Sequence, residues 1–132
     1  VIGDLLAYLH QLGVGIQGQT LFAGGFPLAI EAEGVALLES SGLAPLETHD
    51  DNGVAYEQRG LQVLSRALDY NRAALLIRQA FDALVPLKNV VIGATDFIAV
   101  SPRQSPFHIG PDENERQMFS VNFDVVVPYK KI

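Results

Sequence analysis

A chain of 132 residues is the length of one ordinary domain, and a domain of that size buries roughly two thirds of the surface its unfolded form exposes. With 48% apolar and 18% charged residues it has a foldable composition, which excludes intrinsic disorder, and no run approaches the roughly 18 consecutive apolar residues of a membrane span. The absence of Cys excludes a disulfide framework, a thiolate nucleophile and Cys-based metal sites, and the first residues carry neither the basic region nor the cleavage pattern of a signal peptide.

The net charge of −6 is unevenly spread. Residues 1 to 66 hold eight acids against Arg59 and Arg66, giving −6, whereas the remainder balances seven acids against seven bases. A phosphate-gripping protein needs clustered Lys and Arg, and here the nine are scattered along an acidic chain, so tight nucleic-acid binding is not expected.

In chain order, Ile2, Leu5, Leu6, Leu9 and Leu12 recur at helical spacing, with Asp4 in the first turn and Gly13 placed for a left-handed cap. Next, "TLFAGGFP" and "GVALLES" read as short strands, and "EQRGLQVLSRAL" as a longer one with Leu61, Val63 and Ser65 on one face. From Asp69, a candidate N-cap, to Leu84 the pattern predicts a helix with a buried stripe of Tyr70, Ala73, Ala74, Ile77, Ala80, Phe81 and Leu84, ended by Pro86. Strands are then expected at "NVVIG" and "DFIAVSPRQ". The last strand alternates strictly, with Phe119, Val121, Phe123, Val125 and Val127 on one face and Met118, Ser120, Asn122 and Asp124 on the other. A one-residue slip would expose the whole apolar row, so its register is well specified. The order lacks βαβ alternation and predicts a single α+β domain over residues 1 to 132: a mixed or antiparallel sheet of about four to six strands with two helices packed on it.

Several motifs fail on their physical context. "GVGIQG", Gly13 to Gly18, matches G-x-G-x-x-G, but it follows a helix and leads into Gly24, Gly25 and Pro27, so no helix N-terminus is available to hold a pyrophosphate. Fitting "THDDNG" to a calcium loop puts Thr48 and Arg59 at positions that need acids, so a turn at Asn52-Gly53 is expected instead. In "GPDENE", Asp112, Glu113 and Glu115 could attract a cation weakly, but Arg116 offsets them and no ligand spacing is evident. His10, His49 and His108 are far apart in sequence, with no Cys and no nucleophile elbow, so no catalytic, cofactor or metal residues are assigned; Lys130 and Lys131 read as a solvated tail.

What remains is the polar arm before the last strand, Ser105 to Arg116. The ordered segments "LFAGGFP" (21–27), "SGLAP" (41–45), "LQVLSRALDYNRA" (61–73), "QSP" (104–106), "IGPDENER" (109–116) and "FSVNFDV" (119–125) resemble the tail-terminator and minor-capsid proteins of long-tailed bacteriophages. In that pattern a basic residue often precedes the Asp and a Gly the Arg, where this chain has Pro111 and Glu115. The resemblance implies a virion structural protein, not an enzyme and without cofactor. Such a protein is assembled in the host cytoplasm into a ring, usually six-fold, at the head-proximal end of the tail tube, where it stops polymerisation and presents the head-joining surface. Its implied partners are itself, the tube protein, the head-completion or neck protein and the end of the tape-measure protein, with DNA passing through the lumen and no membrane contact.

On this reading the arm is a docking element carried by His108, Pro111, Asp112, Glu113, Asn114, Glu115 and Arg116; a plain hairpin loop over 105 to 115 is the alternative. As exposed charges, Asp112, Glu113 and Arg116 are expected to add little stability. A neck adaptor of the same virion, or a small α+β enzyme or ligand-binding domain, are the competing functions. The charge balance predicts that duplex DNA binds poorly at physiological salt, measured by fluorescence anisotropy; a micromolar affinity would overturn the charge argument.

Overall fold

The computed structural model describes residues 2–26, 33–40, 46–47, 55–112 and 115–129. The alternation of the last strand is realised in β8 (Gln117–Tyr129), which pairs antiparallel with β4 (Ala55–Ala67) from Ala55 opposite Tyr129 to Ala67 opposite Gln117 without a break. Directly opposed residues share a face. Leu61 therefore meets Phe123, Val63 meets Val121 and Ser65 meets Phe119, and all six are buried.

The sheet grows from this pair. On one side β4 pairs antiparallel with β2 (Gly34–Ser40), and β2 parallel with β1 (Leu21–Ala23). On the other side β8 pairs with β6 (Thr95–Pro102), which forms a hairpin with β5 (Lys88–Ile92). The order is β1-β2-β4-β8-β6-β5, with β3 (Leu46–Glu47) added to β4 and β7 (Phe107–Pro111) added to β8. The fold is thus α+β on a mixed sheet, as expected, with six strands in line and two short ones beside them. The expected turn at Asn52-Gly53 falls outside the described residues, as do His49, Lys130 and Lys131.

Both helices lie on the apolar face of the sheet. In α1 (Ile2–Gln11), Leu5, Leu6 and Leu9 enter the core; the helix ends before Leu12, which is exposed, and Gly13 takes the left-handed conformation at φ 80°. Asp4 accepts a hydrogen bond from Thr95 Oγ1, tying α1 to the β5–β6 hairpin. The segment with the G-x-G-x-x-G spacing is a helix-to-strand connection, as its flanks imply. α2 (Tyr70–Leu84) starts where predicted: the Asp69 carboxylate accepts from the Arg72 amide at 3.2 Å, and the Val85 amide donates to Phe81 O just before Pro86. Its buried residues are Ala73, Leu76, Ile77, Ala80 and Leu84. Tyr70, expected in this stripe, is half exposed because it sits in the first turn and leans towards β7, and Leu76 joins the stripe instead. Ser65 Oγ donates to Ala73 O at 2.8 Å, so the one hydroxyl on the buried face of β4 is satisfied by the helix.

Phe123 is fully buried, paired with Leu61 and against the Phe81 ring. Phe123→Ala is expected to cost about 3–5 kcal/mol in urea unfolding, since the close-packed neighbours cannot collapse into the space. A loss under 1 kcal/mol would mean that this part of the core is loosely packed.

Candidate functional site

The arm is a strand of the sheet rather than a loop. Phe107 pairs with Ser120 and His108 with Phe119; a bulge at Ile109 follows, after which Gly110, at φ 99°, pairs with Met118 and Pro111 with Gln117. Pro111 lacks an N–H and stands at the last position of an outer strand, where the ladder does not need one. Pairing places His108 on the core side, where its ring packs between Tyr70 and Phe119 with all three centroid separations at 5.1 Å. Its Nε2 lies 2.8 Å from Gln117 Oε1. The arm is thereby clamped to the first turn of α2 as well as to β8.

The far end of the arm is closed by Asp112. Its amide donates to Arg116 O at 2.8 Å and its carbonyl accepts from the Glu115 amide at 3.0 Å. Its carboxylate is used twice: Oδ1 accepts from the Arg116 amide and Oδ2 from Arg116 Nε, each at 2.8 Å. Arg116 is 4% exposed, and Arg66, from β4, is 5% exposed with its guanidinium 4.3 Å from the centre of the Phe26 ring. Burial, then the neighbouring Arg116, pushes the Arg66 guanidinium below its ordinary range, and Asp112 pulls it back up.

The expectation that Asp112 and Arg116 are exposed charges therefore fails. Their short sequence separation and acidic company suggest solvent, but the fold buries Arg116 and half-buries Asp112, with Arg66, 50 positions before Arg116, near enough to feel both charges. The Asp112 carboxylate is engaged by Arg116 and not left open for a cation. Glu113 and Asn114 lie outside the described residues. Pro111 and Glu115 are exposed, and Glu115 holds φ 61°, a left-handed backbone that favours glycine. That is the position where the resembled pattern carries Gly.

Phe107 and Ile109, on the face of β7 away from the helices, are 41% and 47% exposed. Sequence reading missed them, although Phe-His-Ile is a short period-2 alternation between two prolines. At the opposite edge of the sheet, an open groove of about 500 Å³ lies beside β1, its lining including Leu6, Leu21, Phe22, Phe26 and the glycines Gly18, Gly24 and Gly25. Among the described residues no helix is long and apolar enough to cross a membrane.

The sequence profile of the bacteriophage tail terminator protein family matches residues 8–129. The chain belongs to that family. It is accordingly a structural protein of a phage tail. Among solved structures, the fold is similar to a chain in the virion of a native gene transfer agent particle, with a TM-score of 0.58 and 13% identity over 97% of this chain and 92% of that one. At that identity the likeness speaks for the fold alone. No curated protein matches the sequence.

In this family member the loop geometry gives two tests. Glu115→Gly is expected to raise stability by about 0.5–1 kcal/mol by relieving the left-handed residue, read as a higher midpoint in urea. Asp112→Ala leaves a buried guanidinium without its carboxylate and is expected to cost about 3 kcal/mol. If instead Asp112→Ala unfolds with the wild-type midpoint, the pair is only an ornament of the surface.

Proposed function

We propose that copies of this chain form a ring, six-fold as the resemblance implies, on the head-proximal end of the tail tube, ending tube growth and presenting the surface that joins the head. The family match over residues 8–129 carries this reading. The partners are then other copies of the chain, the tube protein, the end of the tape-measure protein and the head-completion or neck protein. The whole chain acts as one domain with no catalytic role and no cofactor.

Two structural features support the proposal. The arm is held at both ends, by the Tyr70–His108–Phe119 cluster and by the Asp112–Arg116 pair, yet it offers apolar side chains outward. A docking element built this way loses little conformational entropy on binding. The acidic excess of the first half suits a lumen through which DNA must pass, because an electronegative wall repels phosphate.

A tube subunit adds through one heterologous contact that does not close, so length control needs a different subunit that binds the end and offers no equivalent face. Phage lacking this protein is therefore expected to accumulate tubes of uncontrolled length beside filled, tailless heads in electron micrographs. Tails of normal length made without it would rule out termination, and if those tails also failed to attach, a neck adaptor would take its place.

A further inference from the structure

On the face of the sheet away from the helices, one buried side chain has neighbours towards both edges. Arg66 of β4 stands between Gly34 of β2 and Met118 of β8, and Met118 stands opposite Gly110 of β7. The ladder of β7 and β8 runs one step further, since the Asp112 amide donates to Arg116 O, so Asp112 and Arg116 are opposed on this same face. Arg116 is thus the diagonal neighbour of Arg66, a spacing that long side chains bridge. On the other side Gly34 offers no side chain, and the Arg66 guanidinium lies 4.3 Å from the centre of the Phe26 ring, which meets the Phe22 ring edge-on at 5.9 Å.

We infer that Arg66 is a relay across this face, coupling the closure of the arm by Asp112 and Arg116 to the packing of Phe22 and Phe26 at the β1 edge. The inference rests on the fold of a single chain and holds whether or not copies form a ring. A guanidinium that is only 5% exposed is costly to leave without compensation, so it stays where an aromatic face and a carboxylate both act on it. Beyond the burial that lowers its pKa most, Arg116 lowers it further and Asp112 raises it, as repulsion and attraction require.

A cationic group that draws the Asp112 carboxylate away removes the attraction and leaves the repulsion from Arg116. Arg66 then shifts, and the Phe26 ring packed on it shifts with it. The coupling works equally in reverse, so a change at Phe26 reaches the Asp112–Arg116 pair. β1 and β7 are separated by β2, β4 and β8, and backbone pairing alone would confine a change at the arm tip to its own neighbourhood. With the relay, a Lys or Arg that engages the arm tip alters the β1 edge without touching it.

NMR of the whole chain, reading ring and guanidinium signals, tests the coupling. Asp112→Asn keeps an oxygen for the Arg116 amide but removes the charge, and it is expected to shift the ring resonances of Phe22 and Phe26. Asp124→Asn removes a carboxylate from the same face, where it accepts from Arg103 at 2.7 Å, and should leave both rings in place. In an Arg66→Met background, Asp112→Asn should no longer move either ring. Phe26→Leu acts from the other end and is expected to shift the Arg116 Nε–H resonance, which decides the matter even if a change at Arg66 or Asp112 prevents folding. Rings that stay put in Asp112→Asn, that move as much in Asp124→Asn, or that still move without the Arg66 guanidinium would overturn the inference. So would an Arg116 Nε–H signal indifferent to Phe26→Leu.

Discussion

The unbroken pairing of β4 with β8 is the constraint on which the rest of the structure depends. Both strands alternate in phase, so Leu61, Val63 and Ser65 meet Phe123, Val121 and Phe119 in the core, and slipping either strand by one residue would turn that buried row to solvent. Every other strand is positioned by this pair. β2 and β3 attach to β4, β6 and β7 attach to β8, and α2 is tied to β4 through Ser65 and to β8 through Phe81 against Phe123.

A consequence is that the arm inherits the rigidity of β8 rather than having its own. β7 is five residues long and broken by a bulge, which would be too little to hold a fixed shape alone. It is fixed because its partner residues, Gln117 to Ser120, are already fixed by β4. The Asp112–Arg116 pair, with Arg66 nearby, then closes the far end of the arm. Such a group is weak as a source of stability, since desolvating two guanidiniums offsets much of the attraction to one carboxylate. Its effect is geometric: a carboxylate that binds both the amide and the Nε of the same arginine permits few loop conformations.

How much of this could be read beforehand depended on the range of the interaction. α2, with its Asp69 cap, and the faces of β4 and β8 follow from local periodicity and were legible. β7 was not, because Pro106, Gly110 and Pro111 mask a strand whose only cause is the open edge of β8. Arg116 was misjudged for the same reason: a charged residue among acids is solvated unless a distant strand covers it, and Arg66 lies 50 positions away. Tyr70 fitted the helical period but was drawn to His108 by the arm. In the candidate site, then, the position of the arm and the charge that Arg116 offsets were visible, whereas the Asp112–Arg116 pairing, the burial of Arg116, the outward Phe107 and Ile109 and the β1 groove emerged only from the fold.

The resemblance and the backbone geometry meet at Glu115. A pattern that prefers Gly before the Arg is intelligible once that residue is seen at φ 61°, because the hydrogen bonds that the Glu115 amide and Arg116 donate to Asp112 close the turn through the left-handed region. A side chain there carries a strain of about 1–2 kcal/mol that glycine avoids. This chain tolerates the strain because the closure it permits is anchored elsewhere, by β7 on one flank and β8 on the other. The direction of the arm is therefore set by its pairing with β8 rather than by the residue at its tip.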